Sequence, residues 1–125
     1  MKFIDTNVII RVLTNDEPHQ SRIAKSEIKK CRAGEIFVSE SVLTELFFVL
    51  GTHKEYLMSR HDICDALADL LVGQEFVISE KSQEALSIAK RHSRLDFTDC
   101  TLLAQSNFNK NHLLTLDKDL LKVLK

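Results

Sequence analysis

Residues 1–10, MKFIDTNVII, read as a short strand running straight into a helix. The run Lys2–Asp5 (KFID) is apolar and only a few residues long, as a buried strand is. It ends on an acid, and Thr6-Asn7 then lead into Val8-Ile9-Ile10. An Asp-Thr-Asn trio can simply start a helix. In a parallel sheet, however, the same position is the C-terminal strand end, where ligands bind.

Three further runs have the same character: Glu35–Ser39 (EIFVS), Glu75–Ser79 (EFVIS) and His112–Leu116 (HLLTL). Segments of helical period lie between them. Residues 19–32 place Ile23, Ala24, Ile28 and Cys31 on one side. Residues 59–72 place Ile63, Ala66, Leu67, Leu70 and Leu71 together, with Ser59 as N-cap. Residues 81–92 group Ala85, Leu86, Ile88 and Ala89. The only proline, Pro18, marks a boundary between two helices, and Gly34 and Gly73 suit positions just past helix ends. Strands alternating with helices predict an α/β fold, with a central parallel sheet of four to five short strands flanked by helices on both faces.

No linker-like or repetitive stretch divides the 125 residues, so one domain over 1–125 is expected. With 17 basic and 18 acidic residues the net charge is -1, which neither announces nor excludes a nucleic-acid partner. Cys31, Cys64 and Cys100 are far apart and form no CxxC pair, arguing against zinc and for reduced thiols. No leader pattern and no apolar run of membrane-spanning length is visible, so a cytoplasmic location without membrane contact is expected.

Four acids stand in apolar company. Glu45 lies within SVLTELFFVLG (residues 41–51), where its helical neighbours are Ser41, Val42, Phe48 and Val49. Such a carboxylate either points outward or has a partner, because burying an unpaired charge costs several kcal/mol. Asp5 and Asp117 each follow a strand. Asp99 opens an apolar helical stretch in DFTDCTLLAQS. Taken singly, Asp117 could be an N-cap, Asp99 a cap or ion-pair member, and Glu45 the partner of a base. In a parallel sheet all four map to one rim. There, two like charges about 4 Å apart cost on the order of 4 kcal/mol at an effective dielectric near 20. A hard divalent cation reverses that sign.

The four segments together resemble the PIN-domain ribonucleases, and in particular the small VapC-like toxins of type II toxin–antitoxin pairs. MKFIDTNVII is similar to the family's first motif and SESVLTELFFVL to the second, which carries the Glu. LDFTDCTLLAQS is similar to the third and HLLTLDKDL to the fourth. The resemblance implies a PIN-like fold over the whole chain and Mg²⁺- or Mn²⁺-dependent hydrolysis of RNA phosphodiesters. Asp5, Glu45, Asp99 and Asp117 would be the catalytic, metal-binding acids. Asn7, Asp96 and Thr115 would be accessory, and Asp119 a surface residue or cap. It also implies a homodimer, a cognate antitoxin, a higher assembly with that antitoxin, and operator DNA reached only through it.

RNA reaching an acidic site needs nearby cations. Arg11 and the run Lys90-Arg91-His92-Ser93-Arg94 are the candidates, although Lys90 and Arg91 also suit a helix C-terminus. Three other readings remain. A haloacid-dehalogenase-like, Asp-dependent phosphohydrolase needs a second Asp where Asn7 stands. A receiver-like domain needs an Asp after EIFVS, which lacks one. A catalytically silent PIN-fold module for assembly is the non-enzymatic alternative.

Overall fold

The computed structural model describes all residues 1–125 and contains three strands and seven helices. In chain order these are β1 (Lys2–Phe3), α1 (Thr6–Thr14), α2 (Pro18–Lys29), β2 (Ile36–Phe37), α3 (Glu40–Thr52) and α4 (Arg60–Leu71). Then come β3 (Phe76–Val77), α5 (Glu80–Arg91), α6 (Phe97–Ser106) and α7 (Lys118–Val123). The chain forms two compact units, Met1–Ile78 and Ser79–Lys125.

The first unit is α/β. Its sheet runs β1-β2-β3, all parallel, with Lys2 opposite Ile36 and Phe37 opposite Val77. Helices flank the sheet, as parallel strands require. Backbone pairing reaches past the strand ends: Gly34 N donates to Gln74 O (2.8 Å) and Val38 N to Val77 O (3.0 Å). On the other side of β2, Lys2 N donates to Glu35 O (2.6 Å) and Ile4 N to Phe37 O (3.4 Å). The peptide groups of Phe3 between them therefore face away from β2. Ile4, Ile9, Ile36, Val38, Leu43, Leu46, Leu50 and Leu67 fill this unit's core.

Local chemistry sets the helix limits. Pro18 occupies the first turn of α2, where its missing N–H costs nothing. Asn15 ends α1 in the left-handed region (φ 52°), which its short polar side chain tolerates. Ser39 and Ser59 cap α3 and α4 through their hydroxyls, accepting from Val42 N and Asp62 N. Gly34 (φ 70°) supplies the turn into β2.

The second unit is helical. Ser79 caps α5, which packs against α6, and Ile88, Leu95, Phe97, Cys100, Leu103 and Leu120 are its buried centre. The chain end is pinned there, since Lys125 N donates to Phe108 O (2.9 Å) and Lys110 N to Lys125 O (3.1 Å).

Three strands form rather than four to five. The missing one is His112–Leu116. Leu114 and Leu116, two apart and so on one strand face, are 99% and 95% exposed. The Thr115 hydroxyl accepts from Asp117 N (3.0 Å), tying the segment into the start of α7 instead of a sheet.

Candidate active site

Asp5 follows β1 at the N-cap position of α1, yet its side chain makes no cap hydrogen bond. Its exposed carboxylate is thus unused by the helix it precedes, at the end where the helix dipole favours negative charge. It borders a groove of about 290 Å³ along β1 and α2, lined also by Phe3, Val8, Ile28 and Cys31. Asn7 is exposed in the first turn of α1.

Glu45 is exposed as well. Helix α3 buries Leu43, Leu46, Phe47 and Leu50, while Phe48, a helical neighbour of Glu45, is 68% exposed. The apolar surroundings of Glu45 in the sequence therefore do not bury it. It points outward, and no partner is required to offset desolvation.

The C-terminal unit draws three acids together. Asp96 caps α6, its Oδ1 accepting from Asp99 N at 2.8 Å. Asp117 caps α7, its Oδ1 accepting from Asp119 N (2.8 Å) and Leu120 N (3.1 Å). Both acids therefore do serve as helix caps. Capping spends one carboxylate oxygen of each, so Oδ2 of Asp117 takes no hydrogen bond from the protein. Half-buried Asp99 lies between them in charge. Burial first, then the negative charges of Asp96 and Asp117, raise its carboxyl above the usual range. Thr115 is part of this cluster through its bond to the Asp117 backbone.

Of the basic candidates, Arg11 is already engaged. Its guanidinium meets Asp16 at 3.1 Å and donates to Gln20 at 2.7 Å. Asp16 in turn accepts from Thr14 Oγ1 (2.8 Å) and the Tyr56 hydroxyl (2.8 Å). The sequence reading missed this network, because Tyr56 lies 40 residues from Asp16. Lys90, Arg91 and Arg94 are exposed at and beyond the end of α5. Arg91 and Arg94 line a cavity of about 320 Å³ with Lys122 and Asp119 of α7. Lys122 was not singled out from the sequence, where KDLLKVL reads only as a short amphipathic segment.

The PIN domain family matches residues 2–125, from β1 to the end of the chain. The chain is a PIN-domain protein. No curated protein and no solved structure matches it. PIN domains are generally nucleases, commonly metal-dependent, and an α/β chain with a parallel sheet flanked by helices fits the family. No helix of this PIN domain is long and apolar enough to cross a membrane.

The donor chemistry of the acids suits a hard divalent cation. The side-chain donors of Asp96, Asp99 and Asp117 are all oxygens, and the cost of ionising Asp99, set by burial and then by the charges of Asp96 and Asp117, is what a cation relieves. No three Asp, Glu, His or Cys side chains are already gathered at ligating distance. Asp5 and Glu45 belong to the N-terminal unit and Asp96, Asp99 and Asp117 to the C-terminal one.

Proposed function

We propose that this PIN domain is a metal-dependent endoribonuclease and the toxin of a type II toxin–antitoxin pair. The observation that carries the nuclease reading is the Asp96–Asp99–Asp117 cluster, set by two helix caps in a chain of a generally nucleolytic family. On the likeness of the four motifs to the family, Asp5, Glu45, Asp99 and Asp117 are the residues that would hold Mg²⁺ or Mn²⁺. The ion, when bound, supplies the positive charge that offsets the phosphate and activates water.

The protein's own groups do the rest. Asp96 fixes the first turn of α6, and with it the position from which Asp99 projects. Thr115 holds the Asp117 backbone. A water oxygen attacks phosphorus, a carboxylate accepts the water's proton, and the bond from phosphorus to the 3′ oxygen breaks as that oxygen takes a proton from solvent. Asp99, whose ionised form burial and the charges of Asp96 and Asp117 disfavour, is the acid that a bound cation would relieve most. The products are a 3′-hydroxyl and a 5′-phosphate.

The toxin role, the homodimer and the antitoxin partner rest on the likeness of the four motifs to the small VapC-like members. A basic antitoxin side chain could occupy the acidic cluster in place of the metal. Exposed Phe48 and Leu57 offer apolar contact for a partner. Domain organisation follows the same reading: both units together make one PIN domain.

The test is cleavage of a mixed RNA pool by antitoxin-free protein, with Mg²⁺, with EDTA, and with Asp5→Asn and Asp99→Asn in parallel. Cleavage that needs the metal and both acids is expected. Folded protein that neither cuts RNA nor binds Mg²⁺ or Mn²⁺ would leave the silent assembly module as the function.

A further inference from the structure

The cavity beside the acidic cluster has the opposite charge. Its walls come from two segments of the C-terminal unit. Arg91, His92, Ser93 and Arg94 form one, and Asp119 and Lys122 of α7 form the other. Three fixed cations face one carboxylate. None of Arg91, Arg94 and Lys122 enters an ion pair, in contrast to Arg11, Lys30 and Lys81. Three cations against the single carboxylate of Asp119 leave this concavity of about 320 Å³ with an excess of positive charge, which suits an anion.

Both walls are continuous with the acids. Arg94 stands two residues before Asp96, and the turn between them is closed by Leu95 N donating to His92 O (3.2 Å). Lys122 lies on the helix that Asp117 caps, about 7.5 Å along the axis from it at 1.5 Å per residue. Buried Leu95 and Leu120 anchor the two walls from beneath. The cationic cavity therefore sits at a fixed short distance from the acids, within reach of a neighbouring phosphate on the same strand.

We infer that the Arg91–Arg94–Lys122 cavity binds a backbone phosphate of the RNA strand, next to the one the acids cleave. The inference rests on the nuclease reading for its ligand. It adds a subsite and a residue, Lys122, that holds the strand without taking part in the chemistry. Binding would be insensitive to base identity, because phosphate contacts position a strand but do not read it.

The experiment measures fluorescence anisotropy of a labelled single-stranded RNA with the full-length protein in EDTA, so that no cleavage occurs. Salt is varied, and Arg94→Ala with Lys122→Ala is compared with Lys25→Ala, an exposed cation of α2 outside the cavity. The double variant should bind several-fold more weakly, and its slope of log affinity against log salt should fall by roughly 0.7 for each phosphate the protein no longer neutralises. Lys25→Ala should leave the slope unchanged, and melting temperatures should match. Equal losses in both variants, or no loss in the double variant, overturn the inference and leave the cavity to an acidic partner segment. Inorganic phosphate should displace RNA no better than chloride at matched ionic strength. Displacement at far lower phosphate would make this a small-anion site and overturn the strand assignment. These readouts need no turnover, so cavity-dependent binding by a protein that never cleaves would sink the nuclease reading alone.

Discussion

Asp16 shows how one carboxylate can join distant parts of a chain. Thr14, Tyr56 and Arg11 converge on it, linking the α1–α2 turn to the loop after α3. The Thr14 and Tyr56 hydrogen bonds, with the Arg11 charge, hold its carboxyl below the usual range. A depressed folded value contributes stability above the unfolded pKa, near 3.9, and loses it as pH falls through the folded one. Asp16→Asn should therefore be less stable than wild type by a constant amount from about pH 5 to 8. The deficit should shrink below about pH 4, as denaturant titrations across that range would show. Asp99 is the reverse case, an acid whose ionised form its surroundings disfavour. Asp99→Asn should raise metal-free stability at pH 7, by less than about 1 kcal/mol because the group is only half-buried. Millimolar Mg²⁺ or Mn²⁺ should stabilise wild type more than the variant, reversing the order of melting temperatures. Candidate acids were legible one by one, since a carboxylate after a strand or in an apolar run stands out. Their direction was not. α3 is apolar on nearly every side, so periodicity could not say which face Glu45 shares with solvent.

Among the elements, Ser59 was the one serine cap read from the sequence, while Ser39 and Ser79 stood at the ends of expected strands. Ser39, Ser59 and Ser79 each precede a helix and accept its third-position N–H. They are not equivalent. Ser79 Oγ also lies 3.0 Å from Ser82 Oγ, and Ser82 is 1% exposed. Ser79→Ala removes a cap and leaves a buried hydroxyl short of a partner. It should cost near the upper end of about 1–2 kcal/mol, against about 1 kcal/mol or less for Ser59→Ala, by urea denaturation. The strand expectation failed where composition alone carried it. HLLTL has the residues of a buried strand, but a strand also needs a neighbouring ladder. That requirement lies outside the five residues themselves.

On the scale of the whole molecule, a net charge of -1 conceals an uneven layout. In the C-terminal unit three acids and three cations occupy adjoining places, the acids at the starts of α6 and α7 and the cations at the end of α5 and the end of α7. The sequence showed the acids together with Arg91 and Arg94, but neither Lys122 nor its nearness to them. Asp117 and Lys122 are near each other in the chain, whereas Arg91 and Lys122 meet only when α5, α6 and α7 pack. The order of strands and helices was readable because each apolar run and each cap is local. The assembly of the acids depends on contacts between segments tens of residues apart.

The outward peptide groups of Phe3 bear on how this protein behaves in a crowded solution. β1 ends the sheet of the N-terminal unit, and the Phe3 side chain is 76% exposed. An unshielded strand border with an aromatic ring is a template onto which a foreign extended chain can add, in register, by backbone bonds alone. Lys2 and Asp5, both exposed, flank it with opposite charges. A second copy adding in parallel register would meet like charge at both positions, so Lys2 and Asp5 disfavour that mode of self-association.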